Sequence, residues 1–531
     1  MNPAALEALR TYYGYDAFRA GQEKLIEAIL AGRDVLGIMP TGAGKSICYQ
    51  IPALLLDGVT LVVSPLISLM KDQVDALNAA GIEATYINSS LSARETNERM
   101  RDVAAGHYKL LYIAPERLES EQFRAMIRRL EVPLVAVDEA HCVSQWGHDF
   151  RPSYMTIVRL LQDIEPRPVM AAFTATATDV VKDDIVERLK LRDPARVTTG
   201  YARSNLAMSV VRGADKRDYV ARFIRERPDQ AGIIYASTRR EVESVYSFVR
   251  GLGVSVGKYH AGLSEEERAE TQEAFQRDDL QLIVATNAFG MGIDKSNVRY
   301  VIHNNMPKNL EAYYQEAGRA GRDGDPGECV LLFSAQDVVT QKFFIEQSEA
   351  TEERKRNDYR LLHDMVQYAH TGECLQLTIV RYFGEENGQS CGTCGNCTDT
   401  RESLDVTEDA KMIFACISEM KQRFGVTMTA KVLRGANDAK IKQFGFDRLR
   451  SYGRLSHMGE KPLVQLIHAL VADGYLRLSD TAYPVVQLME PVLGVMRGEA
   501  RVYQKVEPEK PAASRSGYGS SRGGGTAAPV A

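Results

Sequence analysis

The sequence predicts a multidomain α/β chain: two parallel-sheet domains, then a helical module built around four cysteines, then a mixed, basic domain. Three observations predict it. From Val35 to about Val330, short apolar runs alternate with helical patterns; beyond Phe333 the strands stop; and the cysteines gather where they stop. The runs are Val59–Val63, Leu110–Ile113, Leu134–Val137, Ile233–Tyr235 and Leu282–Ala285. Strands apolar on both faces lie under helices on both sides, as in parallel sheets. A stretch of about 300 residues is too long for one such sheet. Pro194 and Gly200 break the rhythm between Arg192 and Ser204, so the sheets divide near residue 202. Helical periodicity then runs from Gln341 to Tyr382, and a mixed segment follows from about 405 to 505. The Gly/Ser/Ala-rich end, Pro511 to Ala531, has Arg515 and Arg522 as its only charged side chains; an inert, disordered tail is expected.

Composition narrows the function classes. With 44% hydrophobic and 25% charged residues, the 531-residue chain is globular, neither disordered nor fibrous. Its best apolar run, Leu54 to Met70, is broken by Asp57, Gly58 and Pro65, which excludes a spanning helix there. The start, Met1-Asn2-Pro3-Ala4, lacks the basic and apolar regions of a secretory signal, so a cytoplasmic address is expected. A net charge of −5 gives no argument for a nucleic-acid partner, so any such argument must be local.

Eight cysteines without a secretory signal make a poor disulfide framework. Cys48, Cys142, Cys329 and Cys416 lie apart, whereas Cys374, Cys391, Cys394 and Cys397 form C-x16-C-x2-C-x2-C. That spacing suits one tetrahedral Zn²⁺ with sulfur at about 2.3 Å; unrelated reduced thiols are the bland alternative.

The strongest chemical signal is Met39-Pro40-Thr41-Gly42-Ala43-Gly44-Lys45-Ser46, between a short strand and a helical run. The glycines let backbone N–H groups wrap phosphate oxygens, Lys45 reaches the β- and γ-phosphates, and Ser46 can ligate Mg²⁺. Met39 stands where the strict P-loop pattern has its first glycine. After Leu134–Val137 come Asp138-Glu139-Ala140-His141, two carboxylates at a strand's carboxyl end. Asp138 can hold Mg²⁺ while Glu139 orients and deprotonates an attacking water. In the second sheet domain, Ala317-Gly318-Arg319-Ala320-Gly321-Arg322 offers two guanidinium groups to a γ-phosphate; alone, it is equally a surface basic patch.

These motifs in this order resemble a superfamily 2 helicase core, and four segments narrow the resemblance to the RecQ-family DNA helicases. Tyr15 to Gln22 is similar to the family's adenine-recognition segment, in which Tyr15, Arg19 and Gln22 would contact the base; Ala20 replaces the usual proline. Asp138 to Pro152 resembles its aromatic-rich loop, with Trp146, Phe150 and Arg151 as DNA contacts. Phe173-Thr174-Ala175-Thr176-Ala177 resembles its coupling motif, and Ala288–Lys295 with Gln315–Gly324 its last two motifs. Thr41, Gly42, Gly44, Lys45 and Ser46 would bind ATP. The cysteine spacing fits the family's zinc module. Arg423-Phe424-Gly425, Leu433–Asn437 and Ser451-Tyr452-Gly453 are similar to its winged-helix domain. There the local charge argument works: between Lys421 and Arg454 nine basic residues oppose Asp438 and Asp447, leaving +7, a footprint for duplex phosphates.

The resemblance implies RecA-like domains at 1–202 and 203–335, a zinc module at 336–404, a winged helix at 405–505 and a tail at 506–531. No counterpart of the C-terminal helical DNA-binding module found in many members of the family is expected. The implied activity is an ATP-dependent helicase moving 3′ to 5′ on single-stranded DNA and unwinding duplex, forked or branched DNA in recombination and repair. ATP, Mg²⁺ and Zn²⁺ are its cofactors. A single-stranded-DNA-binding protein as partner, a monomeric state, no membrane and a nucleoid-associated location complete the expectation. The rivals are an RNA helicase of the DEAD/DEAH type and a non-hydrolysing DNA-binding or annealing factor. Trp146 is a stacking platform or a core anchor; its loop neighbours Gln145, Gly147, His148 and Asp149 favour the former. His148 is a coupling residue or a solvated one. Tyr483, in a hairpin over Tyr475 to Leu488 that Pro484 keeps short, is a doubtful wedge.

Overall fold

The computed structural model describes residues 2–147, 149–290, 295–386, 388–479, 481 and 483–505. The expectations for His148, for Met291–Asp294 and for the tail fall outside the described residues.

The first sheet contains β1 (Val35–Ile38), β2 (Thr60–Val63), β3 (Ala84–Ile87), β4 (Leu110–Ile113), β5 (Leu134–Val137), β6 (Val169–Thr174) and β7 (Ala195–Thr198). Its order is β3-β4-β2-β5-β6-β1-β7, parallel throughout. Every residue of β1, β2, β4 and β5 is buried, which explains their unbroken apolar runs. The segment after β1 and the segment after β5 therefore flank the end of β6, at the carboxyl edge where open α/β sheets bind ligands.

The second sheet contains β8 (Leu206–Arg212), β9 (Gly232–Tyr235), β10 (Val256–Tyr259), β11 (Leu282–Ala285), β12 (Tyr300–His303) and β13 (Gly327–Phe333). Its order is β10-β11-β9-β12-β13-β8, again parallel. Gly232 is demanded by packing: a Cβ there would lie 2.1 Å from the Tyr300 ring on the neighbouring strand.

One strand lies inside the segment that reads as a break. β7, Ala-Arg-Val-Thr, pairs in register with β1, Val35 opposite Ala195 through Ile38 opposite Thr198. It is an edge strand with alternate residues exposed, so it has no apolar run to signal it.

Beyond Phe333 come helices at Ala335–Gln347, Glu352–His370 and Leu375–Tyr382. The last domain has helices at Thr407–Glu419, Val426–Arg434, Ala439–Gln443 and Glu460–Ala472, then an antiparallel pair, Leu476–Leu478 with Val486–Leu488. That is a winged helix with a core of its own, including Phe414, Leu433 and Ile467. Gly435 and Gly453 explain why both motifs carry glycine: a Cβ on Gly435 would sit 3.0 Å from the Gly453 Cα, where the two segments cross.

Candidate ATPase and DNA-coupling site

The loop after β1 is shaped by two left-handed glycines, Gly42 (φ +84°) and Gly44 (φ +79°). The Met39 amide donates to the Thr174 carbonyl (3.0 Å), which seats the loop on β6, and the Lys45 ammonium donates to the Met39 carbonyl (3.2 Å). Arg19 donates to the Gly42 carbonyl (2.5 Å), and Gln22 donates to the carbonyls of Ala43 (3.2 Å) and Gly44 (3.0 Å). The Gln22 Oε1 accepts from the Arg19 amide (2.8 Å). The segment read as adenine-recognising thus braces the phosphate loop through Arg19 and Gln22, while Tyr15 is about half exposed.

Asp138 follows β5, fixed by its amide on the Val63 carbonyl (2.9 Å). Burial, with Glu139 adjacent, pushes its carboxyl up to about 6. Burial also pushes Glu139 up, but the hydrogen bond and charge of His141, then Lys45 and Arg319, outweigh it and hold Glu139 ionised. Glu139 has φ +47°, a left-handed conformation costing a non-glycine residue about 1–3 kcal/mol. A relay leads from it toward the second domain. His141 Nδ1 lies 3.2 Å from Glu139 Oε2 and 2.9 Å from Thr174 Oγ1; Thr174 Oγ1 accepts from the Thr176 amide (3.2 Å); and Thr176 Oγ1 accepts from Gln315 of the second domain (3.1 Å).

The facing wall brings the predicted arginines to the same cleft. Arg322 packs over the phosphate loop, its Cγ 3.6 Å from where a Gly42 Cβ would stand. Arg319 is 5% exposed, and its Nε and Nη1 have no hydrogen-bond partner. Its charge is felt by Glu139 across the cleft. A buried guanidinium with two nitrogens unbonded, close enough to Glu139 to act on its charge, fits a γ-phosphate as its missing partner.

Sequence reasoning missed Arg203. Its guanidinium donates to the Thr41 carbonyl (3.1 Å) and to the carbonyls of Gly318 (3.4 Å), Ala320 (3.2 Å) and Gly321 (3.1 Å), tying the phosphate loop to the arginine segment. No motif marks it; it is a lone arginine in the connection between sheets. Tyr154, also missed, donates from its buried hydroxyl to the Asp138 carbonyl (3.0 Å).

Ala140 to Ser144 are buried, and the segment reaches the surface at Gln145 and Trp146. Trp146 is 37% exposed. Phe150 is half-buried. Arg151 donates to the Pro65 carbonyl (2.8 Å) and pairs with Asp149 (3.2 Å), so it anchors the loop base.

Four thiols converge in the helical module. The sulfurs of Cys374, Cys391, Cys394 and Cys397 all lie within 4.8 Å of one another, with Cys374 3.5 Å from Cys391 and 3.9 Å from Cys394. A disulfide needs about 2.05 Å, whereas a tetrahedral zinc at about 2.3 Å from each sulfur spaces them about 3.8 Å apart. Backbone amides of Cys391, Cys394 and Leu375 donate to the sulfurs of Cys374 (3.2 Å), Cys391 (3.3 Å) and Cys394 (3.4 Å), as thiolates require.

Four family patterns match in series: DEAD/DEAH box helicase over residues 19–184, helicase conserved C-terminal domain over 215–324, RecQ zinc-binding over 335–398 and RQC domain over 400–513. The chain is 49% identical over 502 residues to the ATP-dependent DNA helicase RecQ of Bacillus subtilis, covering 94% of this chain and 85% of that one. The chain belongs to the RecQ family of ATP-dependent DNA helicases. A second relative, the RecQ of Pasteurella multocida, is 40% identical, covering 94% of this chain and 79% of its own length.

Solved helicases share the fold. Mycobacterium smegmatis Lhr, bound to single-stranded DNA and AMP-PNP, matches 93% of this chain and 61% of that one at TM-score 0.53 and 18% identity. Mss116p, bound to single-stranded RNA and AMP-PNP, matches 69% of this chain and 82% of that one at TM-score 0.56 and 18% identity. As a RecQ helicase the chain is an ATP-dependent, DNA-binding enzyme, and its phosphate loop and four thiols fit ATP and zinc. Among the described residues no helix is long and apolar enough to cross a membrane.

Proposed function

We propose that this RecQ helicase moves 3′ to 5′ along single-stranded DNA and separates duplex, forked or branched DNA in recombination and repair, as an intracellular, nucleoid-associated monomer that meets a single-stranded-DNA-binding protein. Arg319 carries the reading: a buried, partly unbonded arginine on one domain acting on Glu139 of the other. Such a cleft works when nucleotide closes it.

Lys45 and the amides of Thr41, Gly42 and Gly44 take the phosphates, while Tyr15, Arg19 and Gln22 take the base. Glu139 orients and deprotonates the attacking water. Arg319 and Arg322 neutralise charge on the transferring γ-phosphoryl group. Ser46 and Asp138 are the residues that would hold Mg²⁺, which supplies positive charge at the phosphates. Trp146 and Phe150 offer faces on which any base can stack, with Arg151 beside them. The relay through His141, Thr174, Thr176 and Gln315 turns cleft closure into domain movement. Functional divisions lie near residues 202, 335, 404 and 505.

Strand displacement on 3′-tailed, 5′-tailed and blunt DNA, with a matched RNA duplex, tests the reading. ATP-dependent unwinding of the 3′-tailed DNA alone is expected. Unwinding from the 5′ tail overturns the polarity, and equal unwinding of RNA overturns the substrate. Trp146→Ala should lose DNA stimulation and unwinding while DNA-free ATPase and melting temperature stay near wild type. A drop in stability of about 3–5 kcal/mol would return Trp146 to the core.

A further inference from the structure

The tip of the aromatic loop is held by a different module. Arg354, on the helix Glu352–His370, donates through Nη1 to the Gln145 carbonyl, and Asn357, one turn on, donates to the Trp146 carbonyl (3.5 Å). Both contacts grip backbone at the two exposed residues of the tip, while the base is tied separately by Arg151 to Pro65 and by Tyr154 to Asp138. The helix is itself fixed: at its far end His370 stacks on His468 of the winged helix, rings 4.7 Å apart and 14° from parallel. Its grip on the loop is therefore that of a rigid support.

Arg354 has a second face. Its Nε pairs with Asp358 (3.1 Å), and both side chains line a cavity of about 270 Å³ with Asn287, Asn305 and Lys308 of the second sheet domain. The rest of the lining is mixed, with Glu316 and Asp358 set against Lys308 and Arg354 and with Phe344 and Ile345 beside them, so what Arg354 offers a strand's phosphate is its own guanidinium. A guanidinium gains from an anionic oxygen a charge–charge attraction and a bidentate geometry that a neutral carbonyl does not offer.

Resting on the reading of this loop as the DNA sensor, we infer that Arg354 and Asn357 are a strand-operated latch. In the DNA-free protein they hold the loop tip in its resting position. A strand phosphate that reaches Arg354 draws it off the Gln145 carbonyl and frees the tip. Release reaches the ATPase because the loop begins at Glu139, whose left-handed backbone is held by its surroundings. Arg354 and Asn357 are positioning residues: they touch the loop, not the nucleotide.

Trp146 is the chain's only tryptophan, so its fluorescence reports the tip directly. The test compares Trp146 emission and acrylamide quenching in full-length protein, wild type against Arg354→Ala, Asn357→Ala and the control Lys355→Ala, with and without an oligothymidylate. Arg354→Ala without DNA should be quenched by acrylamide more readily than DNA-free wild type, and its DNA-free ATPase should rise several-fold. Losing a hydrogen bond to a charged donor corresponds to roughly a tenfold shift in the held-to-free ratio. Asn357→Ala should move the same way by less, and Lys355→Ala should not move. Wild-type-like quenching and DNA-free ATPase in both variants, at unchanged melting temperature, would overturn the latch. If Arg354→Ala melts low, Asn357→Ala decides alone. Absent DNA stimulation in the wild type would instead defeat the sensor reading, and the DNA-free quenching comparison would still decide whether the latch exists.

Discussion

The nucleotide cleft and the cysteine cluster are both built to receive a ligand, yet they are finished to different degrees. In the cluster, three sulfurs already accept backbone amides, and the four lie at the spacing one ion needs. In the cleft, Arg319 keeps two buried nitrogens unbonded and Glu139 sits in a strained backbone conformation. A structural site closes around its ion because its work is to hold the fold. A catalytic site retains unbonded groups and strain because its partner arrives and leaves with each turnover.

The largest effect that would sharpen this contrast belongs to the cluster. Structural zinc in small modules contributes roughly 10–16 kcal/mol of folding free energy, so loss of one ligand should be felt as local unfolding. Cys394→Ala is expected to lose zinc and expose residues 374–397 to protease, lowering ATPase and unwinding together. Metal analysis of chelator-free protein should find near one zinc per chain; an undiminished, protease-resistant variant without zinc would erase the distinction drawn above. The cleft should behave oppositely. Lys45→Ala removes a charge from the phosphates and little packing, so DNA-stimulated ATPase should fall by roughly a thousandfold. Its melting temperature should stay within a degree or two, since ordinary non-core substitutions cost only about 0.5 kcal/mol. Retained turnover would remove Lys45 from the chemistry.

The same contrast governs what the sequence could reveal. The cluster was legible outright, because thiols at x2 spacing leave few alternatives. Strands such as Leu134–Val137 were legible because both faces are buried, whereas β7, exposed on alternate residues, hid inside what reads as a linker. Within the cleft, Lys45, Asp138, Glu139 and Arg319 stand in local patterns that chemistry explains. Arg203, Tyr154 and Arg354 act through backbone carbonyls distant in sequence, and a carbonyl leaves no mark on the residue that supplies it. What was missed is therefore of one kind: side chains that hold other segments in place.

Arg203 gives the smallest and most discriminating prediction, because it is the cleft arginine that is already bonded. Its fork joins the Thr41 carbonyl in the first domain to three carbonyls around Arg319 in the second. Arg203→Lys keeps the charge but cannot span four acceptors with a single ammonium. If Arg203 aligns the two walls, the lysine variant should lower DNA-stimulated kcat/KM about tenfold, the weight of one hydrogen bond to a charged donor, while melting within a few degrees of wild type. The loss should fall on kcat, since the phosphate loop keeps its own bracing from Arg19 and Gln22 and nucleotide affinity should hold. A tenfold rise in KM with kcat unchanged would make Arg203 part of the nucleotide-binding wall instead. Unaltered kinetics would show that the domains find their alignment without it.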